Sequence, residues 1–371
     1  MQYQYYEFQA IDRPLTPTEQ NDVRSLSSQV RLTATQAIFT YSYGEFRGKP
    51  LSVLEKYFDA MLYMANWGTH QLAFRFPKSA VNLAVLELYC VKRFIEVIVV
   101  EKYVILNINI NEEEGSLWIE DDNDWLSLLI PLRQSILQED YRVLYLAWLQ
   151  AVDISHASKN DFQEPPVPPN LQNLNAPLQA FVEWLEIDPD LITIAAQESQ
   201  TEESHQEPFE DWIKALSEQE KTAMLLEVVT SDLTIASQFQ ARLRQRFSQP
   251  PKHRTGSEQR RSYGTLQALA DTERLARKAR EEEAATRERR QYLESLKQEQ
   301  EQIWKTIDSL IARKKPQSYD EAVQHLINLR DLARLEGNVV EFQRKIQQLQ
   351  ATYSKCSGLL RRIEAANLLD S

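Results

Sequence analysis

The residues best equipped for chemistry lie in "YFDAMLYMANWGTHQLAFRFPK", Tyr57 to Lys78. Here Trp67 and His70 flank a Gly, with Asp59 and Asn66 a few positions upstream. An imidazole, a carboxylate and a carboxamide meeting in one pocket would suit proton transfer, and Arg13 would add a cation for an anionic substrate. The spacing also supports a plainer arrangement. Ala60–Asn66 and Gln71–Phe76 are strand-like, and "NWGT" between them reads as a hairpin turn with Gly68 at positive φ. In that reading Trp67 covers a sheet edge and His70 is exposed. One aromatic and one His do not by themselves define a reaction class.

Other reactive side chains are scattered. His156, His205, His253 and His325 fall in loops or in a helical tail, and no pair has HExxH spacing. Neither GxSxG nor GxxxxGK[ST] occurs, and eight glycines leave little for a phosphate-cradling loop. Nucleotide enzymes are therefore disfavoured, and no cofactor is expected. Cys90 beside Lys92 and Arg93 reads either as an activated thiol or as a small buried hydrophobe. The cluster "NEEEGSLWIEDDND" places Glu112–Glu114 near Asp121–Asp124, but without the alternating ligands and central Gly of an EF-hand. Loop solvation and helix capping account for it as well as a cation would. Two cysteines in 371 residues exclude a disulfide framework and a Cys-based zinc site within one chain.

These residues need elements to hold them. "QYQYYEFQAI" is a strand ending at the turn "DRPLTP". Thr16, Pro17 and Glu19 make a capping-box helix start. "AIFTYSYGEF" reads as a strand broken at Gly44, and "KPLSVLEKYF" as a helix opened by Pro50. "DAMLYMA" is apolar on both faces, as in a central strand. "SAVNLAVLELYCV" reads as a helix. "RFIEVIVVEKYVILNINI" has the β-branched density of one long strand or two paired ones, and "GSLWIE" reads as an edge strand. Strands adjacent in sequence favour an α+β domain with a mixed or antiparallel sheet.

Beyond residue 120 the pattern is helical. Asp122 or Asn123 can cap the first helix, and Pro131 kinks or divides it. Residues 1–120 are expected to form the α+β domain and 121–158 a helical extension. Residues 159–176 read as a Pro-rich linker, 177–248 as a small helical domain, and 249–263 as a basic linker. Residues 264–371 read as one long helix plus a C-terminal helical hairpin. The long helix runs from about Thr265 to Arg313, with a seam of Leu293, Leu296, Ile303, Ile307 and Leu310. Its earlier part, "RLARKAREEEAATRERRQ", reads as a solvated helix held by i,i+4 charge pairs. Gly337 separates the hairpin helices as a C-cap. No stretch approaches the roughly 18 apolar residues of a membrane span, and the N-terminus lacks a secretory pattern. A cytoplasmic protein with no membrane association is expected.

Net charge is −12, but residues 251–371 carry 23 Lys and Arg against 18 Asp and Glu. The stretch Lys252–Arg290, with 11 basic and 7 acidic residues, could touch phosphates. Its interleaved "EEE" reduces the local potential, and Tyr263 alone makes no stacking platform.

"YYEFQAIDRPLT" followed by "YFDAMLYMANWGT" resembles the opening of a family of uncharacterised bacterial proteins, over about the first 80 residues. The resemblance implies a bacterial intracellular protein and supplies no activity. "YDEAVQHLINLRDLARLEGNVVEFQRKIQQL" resembles the helical tails of bacterial SWIM zinc-finger proteins, but the CxC…CxH zinc motif is absent, so zinc binding is not carried over. The expected role is a non-enzymatic interaction or scaffold protein meeting a protein partner through its C-terminal helices. Two alternatives stay open: a nucleic-acid-associated protein using residues 252–290, and an enzyme with a site in the N-terminal domain.

Overall fold

The computed structural model describes residues 3–42, 44, 46–111, 124–201, 208–230, 236–247 and 260–368. The chain divides into two packing units, Met1–Arg274 and Leu275–Ser371. The first unit begins with β1 (Gln4–Gln9), α1 (Pro17–Leu26), β2 (Arg31–Leu32), β3 (Gln36–Tyr41), α2 (Pro50–Tyr57), β4 (Ala60–Ala65) and β5 (Thr69–Pro77). It continues with α3 (Leu83–Glu87), β6 (Ile95–Val99) and β7 (Tyr103–Asn111). The strands form one seven-stranded sheet in the order β2-β3-β1-β4-β5-β7-β6, with every pair antiparallel. The expected α+β sheet is present, and the doubly apolar "DAMLYMA" forms its central strand.

Local chemistry explains several boundaries. Thr16 accepts from the Glu19 N–H while the Glu19 carboxylate accepts from the Thr16 N–H, so the capping box starts α1. Pro50 opens α2. Gly68 has φ +91°, closing the β4–β5 hairpin with Ala65 opposite Thr69. "RFIEVIVVEKYVILNINI" forms two paired strands, with Ile95 opposite Ile108.

The helix expected over "SAVNLAVLELYCV" is much shorter. A 3-10 turn at Lys78–Ala80 precedes α3, which holds five residues. Val91 then exchanges two backbone hydrogen bonds with Ile95, which pulls the chain out of helical geometry. "GSLWIE", Glu112–Glu114 and Asp121–Asn123 lie outside the described residues.

Helices α4 (Trp125–Leu129), α5 (Pro131–Leu137) and α6 (Arg142–Asp153) follow, and Pro131 does divide the run. Next come α7 (Ala176–Trp184), α8 (Pro189–Ala196), α9 (Phe209–Ala215), α10 (Glu218–Thr230) and α11 (Ala236–Phe247). Alternation along the strands makes two cores. One sheet face, with Leu62, Leu72, Phe74 and Leu106, packs with α4–α8. The other, with Phe8, Phe39, Met61 and Ala73, packs with Val23 of α1 and Val53 and Leu54 of α2.

Residues 159–176 are not a free spacer between domains. Leu171 is 1% exposed in the same core as Leu178, Phe181 and the sheet. Glu164 is also buried, and Gln163 bridges Ser262. Prolines there shape a packed segment, because its side chains meet apolar surface that sequence spacing does not reveal. Most of the expected basic linker lies outside the described residues, but Arg260–Tyr263 joins this packing.

Helix α12 (Tyr263–Leu296) starts in the first unit, where Tyr263, Leu266 and Ala270 are buried. Residues 278–288 are all exposed, as expected for a solvated helix. The pairs Arg277–Glu281 and Arg290–Glu294 are spaced i,i+4. The expected long helix is present: α12 continues through a 3-10 turn at Lys297–Glu299 directly into α13 (Gln300–Ala312). The second unit adds α14 (Pro316–Glu336), α15 (Val339–Thr352) and α16 (Ser357–Ala365) around Ile307, Leu326, Ile346 and Leu359. Gly337, φ +75°, ends α14 in the left-handed conformation. No helix of the described residues is long and apolar enough to cross a membrane.

Candidate functional site

The five residues expected to border a pocket are not brought together. Asp59 and Asn66 flank opposite ends of β4, so seven residues of extended chain separate them by about 23 Å. Asn66 continues the sheet ladder, its Oδ1 accepting from the Tyr3 N–H at 3.0 Å and its own N–H donating to the Tyr3 carbonyl. Trp67, 38% exposed, sits in the turn. Arg13 is held by both Glu19 carboxylate oxygens, at 2.8 and 2.6 Å.

His70 is neither a pocket base nor an exposed group. Its ring packs edge-to-face on Trp184 at 5.1 Å, on the helix-covered side of the sheet. Trp184 Nε1 donates to Met64 Sδ beside it. Burial lowers the imidazole to about 4, so it is neutral at physiological pH. No sequence signal links His70 to Trp184, because the contact spans 114 positions.

Asp59 instead anchors a buried ionic cluster. Its Oδ2 accepts from the N–H groups of Ile11 and Asp12 at 2.7 and 2.9 Å. Its Oδ1 accepts from Arg75 Nη2 at 2.7 Å. Arg133 lies 4.0 Å away and binds Asp12 through two parallel hydrogen bonds. Burial pushes the Asp59 carboxyl up, but Arg75, Arg133 and the Asp12 N–H outweigh it and hold the group below its usual range. The two carboxylates and two guanidinium groups engage one another. The cluster ties the turn after β1 to β4, β5 and α5.

A second cluster surrounds Glu164. Tyr145 donates to Glu164 Oε1, and Arg261 grips both carboxylate oxygens at 2.7 Å. Burial and then Glu164 hold the Tyr145 hydroxyl well above its ordinary range. Tyr263 packs edge-on against Trp148 at 5.8 Å, and the Lys159 ammonium sits over the Tyr263 ring. Lys159 also donates to the Val152 carbonyl at the end of α6. This set fastens the start of α12 to the first unit.

Cys90 is exposed, and desolvation around the sulfur followed by Glu87 raises its thiol. That is the opposite of the activation that Lys92 and Arg93 would give. The reading of Cys90 as a buried hydrophobe also fails.

The second unit carries a groove between α13, α14 and α15. Trp304, Leu329 and Phe342 line it, with Glu336, Glu341 and Lys345 at its margin. Trp304 and Phe342 have ring centroids 6.2 Å apart. The Lys345 ammonium stands over Trp304 at 5.7 Å and pairs with Glu341 at 3.1 Å. None of these residues was marked by the sequence; Trp304 only neighbours the seam residue Ile303.

Comparison with protein-family models, with curated proteins and with solved structures finds no match.

Proposed function

We propose that this chain is a non-enzymatic interaction or scaffold protein of the bacterial cytoplasm, which receives a protein partner on its C-terminal helices. The groove between α13, α14 and α15 carries this reading. It sets the partly exposed Trp304 ring among the charged side chains of Glu336, Glu341 and Lys345, a mixed surface of the kind protein partners contact. The same helices also carry exposed apolar side chains: Val340 of α15 is 80% exposed and Leu335 of α14 is 49% exposed. By contrast, the Asp59 and Glu164 carboxylates are held on both oxygens by arginine, tyrosine or backbone donors, which suits structure better than turnover. Five described cations of the 252–290 stretch are paired with carboxylates: Arg261 with Glu164, Arg274 with Asp188, Arg277 with Glu281, Arg289 with Asp331, and Arg290 with Glu294. This favours a protein partner over nucleic acid.

The test uses the full chain, tagged and expressed in its source organism, with chemical cross-linking before purification. The double variant Val340→Asp/Lys345→Glu is expected to lose one discrete set of co-purified proteins at least tenfold. Leu128→Asp, at an exposed position of the first unit, keeps that set. Identical recovery by all three proteins would overturn the reading.

A further inference from the structure

The segment "LNINI" raises a separate question. Asparagine is depleted in strands, yet β7 places Asn107, Asn109 and Asn111 at alternate positions on one sheet face. Cross-strand neighbours on that face are Gln71 opposite Asn109 and Thr69 opposite Asn111. Tyr63 of β4 stands opposite Gln71, and Gln4 of β1 stands opposite Ala65. The same face changes character along its length. Ala73 and Ile105 belong to the apolar half packed with α1 and α2. Two residues further along each strand, the side chains become carboxamides.

The amides are ordered by one another. Gln71 Nε2 donates to Asn107 Oδ1 at 2.8 Å, and Thr69 Oγ1 donates to Asn111 Oδ1 at 3.0 Å. Gln4 Oε1 accepts from the hydroxyls of Tyr6 and Tyr63, and Gln4 Nε2 donates to the Gly44 carbonyl. The exception is Asn109, whose Oδ1 is buried without a hydrogen-bond donor among the described residues. An unmet acceptor of this kind is unfavourable and calls for a donor. The terminal torsion of Asn is soft, so a small rotation turns either end of the carboxamide outward. Tyr63, Gln71 and Asn109 are half-buried, and Asn111 is exposed.

We infer that this face, centred on Gln71, Asn109 and Asn111, is a binding site for a neutral oligosaccharide. Carboxamides both donate and accept, as sugar hydroxyls do. The accessible members Tyr63, Gln71, Asn109 and Asn111 carry no formal charge at neutral pH, and neither do the buried Gln4, Thr69 and Asn107 that order them, so the ligand they match is uncharged. Glu96, opposite Asn107 on the edge strand, supplies a further acceptor and disfavours a phosphodiester. The accessible members lie on β4, β5 and β7, about 10 Å across the strands and about 7 Å along β7, an area fit for one or two sugar rings of a glycan. Trp67 lies at the Thr69–Asn111 end and provides a partly exposed ring of the kind that packs on apolar sugar surface. An extended peptide would instead seek a free strand edge.

The experiment screens the full-length protein on an array of neutral and charged oligosaccharides. The best neutral hit is then measured by titration calorimetry. Asn109→Leu and Trp67→Ala are each expected to weaken that hit at least tenfold. Asn109→Leu removes an unmet acceptor, so its unfolding midpoint is expected at or above that of wild type. Asn111→Ala, at an exposed position, gives a second reading of the same face without burdening the core. Three results overturn the inference: no neutral glycan binds at millimolar concentration, the hit is insensitive to all three variants, or these residues respond only to charged glycans, peptides or oligonucleotides.

Discussion

Replacing His70 with Phe should flatten the acid side of the stability profile. In the native state the imidazole packs on Trp184 and titrates at about 4, against an ordinary value of 6.5. The folded value is depressed, so the neutral form belongs to the native state. The resulting stability is complete above the unfolded value and is lost as pH falls toward the folded one. Between about pH 7.5 and about pH 4.5 the loss integrates to about 2.5 kcal/mol, at about 1.36 kcal/mol per pH unit across the window. Phe keeps the aromatic contact and cannot take a proton. Urea unfolding of wild type and His70→Phe, at half-unit pH steps, gives the difference directly. Carboxylates held low by ion pairs, such as Glu19 at about 2 and Asp59, titrate equally in both proteins and cancel. Parallel profiles for the two proteins would refute the desolvation of His70.

Other perturbations probe the remaining contacts. Asp59→Asn removes the charge facing Arg75 and Arg133, and should cost about 3–5 kcal/mol in urea unfolding of the first unit. Arg261→Met should cost a similar amount, about 3–5 kcal/mol, by stranding Glu164. Adding Glu164→Leu should recover much of that loss, because the uncompensated charge goes with it. Gly337→Ala meets no atom within 4 Å, so its cost is backbone strain alone, about 1–2 kcal/mol. Melting of the second unit followed by Trp304 emission measures it.

Local punctuation was legible in the sequence. The capping box at Thr16, the Gly68 turn, the break at Pro131 and the left-handed Gly337 each depend on a few adjacent residues. The site geometry was not legible, because it rests on distant pairs. Asp12 meets Arg133 across 121 positions, and Glu164 meets Arg261 across 97. Asp59 and His70 looked like neighbours in a hairpin, but strand extension places them at different ends and on different faces of the sheet. The packed segment 159–176 was misread for a related reason. Proline content reports backbone stiffness, and burial depends on what lies opposite.

The rim of the sheet has one more implication. β6, "IEVIV", is β-branched and terminates the sheet, which makes it a natural template for recruiting strands from misfolded neighbours. Val91 occupies the outward backbone groups of Ile95, and the charge of Glu96 interrupts the apolar run. The opposite rim, β2, offers only two residues. Protection against amyloid-like growth therefore rests on the short connection around Val91. A protease nick between α3 and β6, in the segment that carries the core residues Tyr89 and Val91, would loosen that cover and expose the segment best able to seed aggregation.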